Sequence, residues 1–248
     1  MIVKDRSTGK EKRMDYERYK KYFLARTFWF RYVGIALVIV GAAMFVLGYM
    51  NYMFFVLPAG AVLAVAGGVI GWAPSAGRAG EKEVLAAVDR MTEGAVDKAL
   101  DKTGLRYKIA DNMPPQKVTG YVFDPENPYI RRGDDDHWRT SDCVCSVLIF
   151  TKIGICAVSE RFSLIEESTP EMTRRELLFT DFDGAHFDTE EHKIAYGKKV
   201  ETARFSRLTF TLGDAAVFSI PAEKTANLEI MINDMLHHRE AALRAQNR

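Results

Sequence analysis

Two apolar runs, FRYVGIALVIVGAAMFVLGYM at residues 30–50 and MFFVLPAGAVLAVAGGVIGW at residues 53–72, decide the fold of this chain. A helix rises about 1.5 Å per residue, so each run is long enough to cross a hydrocarbon core about 30 Å thick. Only Asn51 and Tyr52 separate the runs, and two such helices are hard to bury within a chain of 248 residues. The sequence therefore predicts a two-helix transmembrane hairpin over residues 30–73.

Charge is distributed unevenly on the two sides of this hairpin. Residues 1–31 carry ten Lys or Arg and four Asp or Glu, residues 32–77 carry no charged side chain, and residues 78–248 have a net charge of −5. Because basic residues flank the cytoplasmic ends of membrane helices, this pattern predicts two spans of the cell (inner) membrane with both termini cytoplasmic. We expect the basic, tyrosine-rich segment 1–29 to form an amphipathic helix that contacts membrane lipids. Nucleic-acid binding by this segment is a weaker alternative.

Small residues recur along the second run at a spacing that places them on one helix face. Gly60, Ala64 and Gly68 are four residues apart, as are Gly67 and Gly71. Such a face allows a second helix to approach closely, either the first run of the same chain, which we favour, or a run from another subunit. Because residues 32–77 contain no Asp, Glu, Lys, Arg or His that could serve an ion or proton pathway, the hairpin is predicted to be an anchor or an assembly surface.

The remainder of the chain divides by pattern into two parts. Residues 74–142 contain a short linker, one helical stretch and a proline-rich connection, with a short strand possible at KVTGYVF, residues 117–123. From residue 143 onward, strand-like runs alternate with turns and end in a helix whose apolar stripe includes Leu228, Met231 and Met235. The predicted fold class is a membrane-anchored α+β protein, in which residues 143–248 form a partly open β-barrel closed by the C-terminal helix.

Three stretches of this second part carry a family resemblance. They are VLIFTKIGICAVS at residues 147–159, LLFTDFDGAHFD at residues 177–188, and the final hairpin and helix, FSRLTFTLGDAAVFSIPAEKTANLEIMINDML, at residues 205–236. Their order resembles the pleckstrin-homology-like (PH-like) domains of bacterial membrane proteins, some of which also carry a two-helix membrane hairpin. The resemblance implies a small barrel used for binding or scaffolding, usually without catalysis. In eukaryotic relatives a basic loop between strands binds phosphoinositides.

Lys198, Lys199, Arg204 and Arg207 are the candidate residues for a similar lipid or anion contact. The alternative is a solvated polar edge, which we favour because a phosphate site needs converging donors. The net negative charge of residues 78–248 also opposes general attraction to an anionic surface.

The stretch RRGDDDHWRTSDCVC, residues 131–145, gathers the residue types that catalytic and metal sites use. Asp134 to Asp136 with His137 could bind a divalent cation, but consecutive aspartates point in different directions and no second acidic cluster completes a coordination shell. Cys143 and Cys145 lack the two further ligands of a structural zinc site, and neither Ser141 nor Cys143 has a recognisable base. We therefore predict a polar loop that leads into a strand, with three free cysteines and no metal or cofactor.

These observations favour a non-enzymatic membrane protein whose cytoplasmic domain scaffolds or recruits a partner protein, as part of a larger complex or as a homo-oligomer. An anionic-lipid-binding module is the alternative, and a metal-dependent enzyme built on the aspartates is the least favoured hypothesis.

Overall fold

A computed structural model describes residues 2–4, 11–13, 15–24, 28–72, 77–110, 113–167, 169–196 and 199–246. The elements follow in the order β1 (Ile2–Lys4), β2 (Glu11–Arg13), α1 (Tyr16–Phe23), α2 (Phe28–Met50), α3 (Val56–Trp72), α4 (Glu81–Met91), α5 (Ala95–Thr103), β3 (Gln116–Tyr121), β4 (Ile130–Arg132), β5 (Trp138–Thr140), β6 (Asp142–Phe150), β7 (Gly154–Ser163), β8 (Glu171–Leu178), β9 (Gly184–Tyr196), β10 (Lys199–Leu212), β11 (Ala215–Pro221) and α6 (Ala226–Gln246). The chain forms two compact units: the hairpin unit, residues 24–78, and the α+β domain, residues 1–23 and 79–248.

The hairpin unit consists of α2 and α3, joined by a short turn. The second helix begins at Val56 rather than at Met53, because residues 51–55 form the turn and Tyr52 adopts a positive φ of 53°. Among the described helices, one segment, Tyr32–Met50 of α2, is long and apolar enough to cross a membrane by length and composition. Helix α3 is equally apolar but has 17 residues.

The α+β domain contains two main antiparallel sheets, which confirms the predicted α+β class. One sheet has the strand order β3-β6-β7-β8 and the other has the order β11-β10-β9. Short pairs are formed by β1 with β2 and by β4 with β5. No ladder joins the two main sheets among the described residues, so they form two separate layers and not a closed barrel.

The packing of strand β6 explains why the sequence CVCSVLIF is apolar at every position except Ser146. Its residues Cys143, Cys145, Val147 and Ile149 belong to a core cluster that also contains residues of α1, α4 and α5. Leu148 and Phe150 belong to a second cluster, shared with the three-stranded sheet and α6. Because successive side chains of a strand point to opposite faces, a strand covered on both faces needs apolar residues at nearly every position.

The C-terminal helix covers the end of this second cluster with the predicted stripe. Leu228, Met231, Ile232 and Met235 are buried there. The predicted short strand in the proline-rich connection is also present, as β3. All six residues of β3 pair with β6. The four-stranded sheet therefore begins at Gln116, whereas the sequence pattern placed the start of the domain at residue 143.

Helix α1 differs from the expectation for the basic segment 1–29. Its residues Tyr22 and Phe23 are each 1% exposed and pack in the core cluster with Val84 and Ala87 of α4. The main-chain carbonyl of Arg18 accepts a hydrogen bond from Ala79 N at 3.3 Å. The aromatic face of α1 therefore completes the protein core and is not free for contact with lipid.

Candidate functional site

The contact between α2 and α3 is built from glycine. Gly34, Gly41, Gly60 and Gly67 are buried between the helices. A Cβ atom added to Gly41 would lie 2.5 Å from Ala64 N and 2.6 Å from Gly60 O, and one added to Gly67 would lie 2.6 Å from Gly34 O. These separations are shorter than any real Cβ contact, so the two backbones are as close as glycine alone permits. Close backbone approach of this kind is how helices associate when their surroundings are apolar.

The structure places the predicted small residues of α3 in two groups. Gly60 and Gly67 face α2, with Ala64 opposite Gly41 and Gly71 opposite Gly34. Gly68 lies outside the contact, since a Cβ atom there would meet nothing within 4 Å. Positions 60, 64, 67 and 71 follow the alternating steps of four and three residues that keep side chains on one helix face.

The partner face of α2 carries a signal that the sequence pattern also contained. Gly34, Gly41 and Gly48 are seven residues apart, and each lies against α3 or the turn that precedes it. A seven-residue repeat of small residues marks the seam of two helices that pack at a shallow angle. The repeat in α2 therefore marks the face that packs against α3.

The outer surface of the hairpin unit is almost entirely apolar. In Tyr32–Met50 the buried residues are Gly34, Gly41 and Gly48, whereas a core helix of a water-soluble domain is mostly buried. Exposed large side chains cover both helices and the turn: Ile35, Val38, Ile39, Val40, Phe45, Val46, Leu47, Phe54, Phe55, Val62, Val65 and Val69. The hairpin unit therefore has small residues inside and large apolar residues outside, which is the reverse of a water-soluble helix pair.

The chain enters and leaves the hairpin unit at the same end of the helix pair. Arg78 Nη2 donates a hydrogen bond to Leu24 O at 3.1 Å, although 54 residues separate them in the chain. At the opposite end, the turn exposes Tyr52, Met53, Phe54 and Phe55, with Phe55 93% exposed. The hairpin unit thus has one polar end, through which the chain enters and leaves, and one uncharged aromatic end.

The candidate lipid-binding residues of the α+β domain do not converge on one site. Lys198 lies outside the described residues, and Lys199 is exposed at the start of β10. Arg204 pairs with Glu191 at 2.8 Å, and Arg207 pairs with Glu190 at 2.9 Å, both across the β9–β10 ladder. Positions 204 and 207 differ by an odd number, so the two side chains leave opposite faces of the strand. Each guanidinium is already occupied by a carboxylate.

The stretch 131–145 contains most of a small hairpin, β4–β5, and the first residues of strand β6. The turn between the strands contains Asp136 at a φ of 64°. Arg139 is buried, its Nη2 lies 2.5 Å from Asp135 Oδ2, and its Nη1 lies 2.7 Å from Glu81 Oε1. The hydrogen bonds from Arg139 lower the pKa of Asp135 to about 2. Asp135 therefore serves an internal ion-pair network that links the turn to α4.

The described residues contain no group of three or more His, Cys, Asp or Glu side chains arranged to hold a metal ion. Cys143, Cys145 and Cys156 are free and buried. Burial raises the pKa of Cys143, Cys145 and Cys156, that of Cys145 to about 11, so all three thiols are protonated at neutral pH.

Comparisons with protein-family models, with curated proteins and with solved structures find no match to this chain.

Proposed function

We propose that this protein is anchored in a membrane by the hairpin unit and uses its α+β domain to recruit a partner protein. The observation that carries the proposal is the distribution of side chains in the hairpin unit, with glycine inside and large apolar side chains outside. Exposing that surface to water would cost about 25 cal/mol for each Å². Hydrocarbon as the solvent removes this cost, and close glycine packing then holds the two helices together.

Both helices are proposed to cross the bilayer. The 17 residues of α3 span about 26 Å at 1.5 Å per residue, which is at the short end of the range observed for membrane helices. The uncharged turn would lie at the far headgroup region, where Tyr49 and Tyr52 suit the interface between apolar and polar surroundings.

The sidedness of the hairpin follows from its two joined ends and from the flanking charge. The hydrogen bond between Arg78 and Leu24 holds the entry and exit of the chain at one end of the hairpin unit. Nine basic residues precede α2 and a tenth, Arg31, lies in its first turn, whereas the turn between α2 and α3 contains none. By the positive-inside rule, the polar end and both flanking segments lie in the cytoplasm.

The proposed role of the α+β domain is that of a PH-like binding module. A four-stranded and a three-stranded antiparallel sheet followed by one C-terminal helix support this relationship. Tethering such a module to a membrane raises its effective concentration for other membrane-bound proteins. The structure does not favour the anionic-lipid alternative, because Arg204 and Arg207 are paired with glutamates.

Alkaline extraction and thiol labelling of the full-length protein in sealed membrane vesicles test the anchoring. We expect the protein to remain in the membrane pellet at alkaline pH; release into the supernatant would disprove the anchor. Asn51→Cys, in the turn, is expected to react with an impermeant maleimide from the side opposite to Leu212→Cys, in the α+β domain. Reaction of both from the same side would leave the anchor but refute two complete spans. The native cysteines give little background because they are buried.

A further inference from the structure

The α+β domain contains a groove at one margin of the four-stranded sheet. Its volume is about 540 Å³, and it lies between the connection after α5, the β6–β7 turn and the ends of β7 and β8. Cys156 of β7 and Glu176 of β8 are cross-strand partners on the same sheet face. Cys156 is buried in the cluster that contains the helices, whereas Glu176 is exposed. The helical layer therefore stops short of the sheet edge.

Exposed apolar side chains are concentrated at this groove. Within the described part of the α+β domain, the exposed large hydrophobic residues are Tyr107, Ile153, Leu178, Val200, Leu212 and Ile230. The first three line the groove, with exposures of 95%, 57% and 48%. Single exposed hydrophobic residues are ordinary, but three around one concavity indicate a surface that another molecule covers.

The rim of the groove is basic although the surrounding segment is acidic. Lys108, Lys152 and Arg174 line it together with one acid, Glu176, which pairs with Arg174. Lys108 and Lys152 form no ion pair with any described residue. Because residues 78–248 carry a net charge of −5, this local excess of positive charge selects a negatively charged occupant.

The groove also runs beside a free sheet edge. Strand β8 forms a ladder with β7 and with no other strand in the described chain. The outer edge of such a strand presents main-chain N–H and C=O groups that an added extended segment can pair with. At the end of β8, Leu178 N donates to Asp181 Oδ2 at 2.8 Å and Leu178 O accepts from Asp181 N at 2.9 Å, so the edge open to such a segment ends before Leu178. A lipid would satisfy the exposed apolar side chains and the basic rim but does not pair with a strand edge, so the observations favour a polypeptide.

We propose that the groove binds an extended acidic segment of a partner protein, which pairs with β8 and places a large apolar side chain against Tyr107, Ile153 and Leu178. Carboxylates on either side of that apolar residue would pair with Lys108 and Lys152. The inference rests on the proposed recruiting function and specifies the surface and the chemistry by which recruitment occurs.

Site-directed photo-crosslinking of the full-length, membrane-embedded protein tests this inference. The probe is p-benzoyl-L-phenylalanine, placed at Ile153 in the groove or at the control positions Leu212 and Ile230, which are similarly exposed. Adducts are identified by mass spectrometry of the crosslinked peptide. We expect Ile153 alone to crosslink to an acidic protein segment, and Lys108→Glu with Lys152→Glu to reduce that adduct at least about fivefold. Lys82→Glu with Lys193→Glu, at two exposed positions that do not line the groove, is the matched charge control.

Three outcomes would overturn the groove assignment. They are a phospholipid as the only adduct at Ile153, a protein adduct that the double charge reversal leaves unchanged, and an adduct whose crosslinked segment is not acidic. If a protein is captured from Leu212 or Ile230 but not from Ile153, recruitment stands and the groove is the wrong surface. If no protein is captured at any of the three positions, the recruiting function fails together with the groove.

Discussion

The hairpin unit and the α+β domain arrange the same residue types in opposite ways. In the α+β domain, Phe150, Phe182 and Phe210 are completely buried, and charged side chains cover the surface. In the hairpin unit, Gly41 and Gly67 are buried, and Phe45, Phe54 and Phe55 are exposed. Each arrangement minimises the free energy in its own surroundings, which are water for the domain and, as we propose, hydrocarbon for the hairpin.

Removing a large aromatic side chain should give the largest difference in stability effect between the two units. Phe210→Ala leaves a cavity in the domain core and is expected to lower the free energy of unfolding of the α+β domain by about 3–5 kcal/mol. Phe55→Ala in the hairpin turn removes a side chain that is 93% exposed, so we expect a change below about 1 kcal/mol. Denaturant unfolding of the detergent-solubilised protein, followed by circular dichroism, measures both. Equal losses would show that the turn is packed like a core.

Two equally exposed valines compare the solvents of the two units directly. Val65 in the middle of α3 is 68% exposed, and Val200 in β10 is 72% exposed. Val65→Asp is expected to oppose membrane insertion by about 2.5–3.5 kcal/mol, the cost of an aspartate at the centre of a membrane helix. Val200→Asp should change domain stability by less than about 0.5 kcal/mol. The fraction of protein that resists alkaline extraction measures the first, and thermal unfolding measures the second. A Val65→Asp protein that inserts as fully as wild type would contradict the membrane assignment.

Adjacent glycines of α3 provide a matched test of the helix contact. A methyl group at Gly67 would meet the backbone of Gly34 at 2.6 Å, whereas one at Gly68 meets nothing within 4 Å. We expect Gly67→Ala to destabilise the hairpin by about 1–3 kcal/mol through overpacking. Gly68→Ala should be neutral or stabilising by up to about 1 kcal/mol, because alanine favours the helix more than glycine does. Unfolding in mixed detergent and dodecyl sulfate micelles compares the two, and a reversed order would refute the packing.

The smallest expected effect concerns acid stability of the α+β domain. Hydrogen bonds from Arg139 hold the pKa of Asp135 at about 2, below its usual value of 3.8. A carboxyl whose pKa is lower in the folded state contributes stability above its unfolded pKa and loses it as the pH falls through the folded pKa. We expect this contribution to be below about 1 kcal/mol, because Asp135 is half exposed and solvent screens the pair. Thermal unfolding at neutral pH and near pH 2 should show a smaller acid-induced loss for Asp135→Asn than for wild type.

How far the sequence predicts the structure differs between the two units for a physical reason. The length of the apolar run 30–50 alone locates α2 to within two residues at its start, because the length of an apolar run can be read from the chain itself. The later start of α3 depends on the conformation of Tyr52, which no composition pattern encodes. The sequence contains the glycine repeat of α2, but only the packed structure shows that Gly68 lies outside the contact while Gly67 lies within it.

In the α+β domain, the sequence does not show which residues contact one another. An amphipathic pattern in α1 shows that one face is buried but not what buries it, and the structure places Tyr22 and Phe23 against α4 and not against lipid. The basic residues Arg204 and Arg207 form a patch only if the β9–β10 register is ignored, because that register places Glu191 and Glu190 beside them. The groove joins residues 103–109 with residues 151–156 and 174–178, which are distant in sequence. No local pattern could have revealed it.

The surroundings of Val65 decide the central claim, that the outer surface of the hairpin unit faces hydrocarbon. A nitroxide attached at Val65→Cys in the full-length protein, reconstituted in lipid bilayers, reports collisions with oxygen, which concentrates in hydrocarbon, and with a water-soluble nickel chelate. We predict high oxygen and low nickel accessibility at Val65→Cys, and the reverse for the same label at Val200→Cys. Nickel accessibility at Val65→Cys equal to that at Val200→Cys would show that the hairpin surface faces water, and would contradict membrane anchoring.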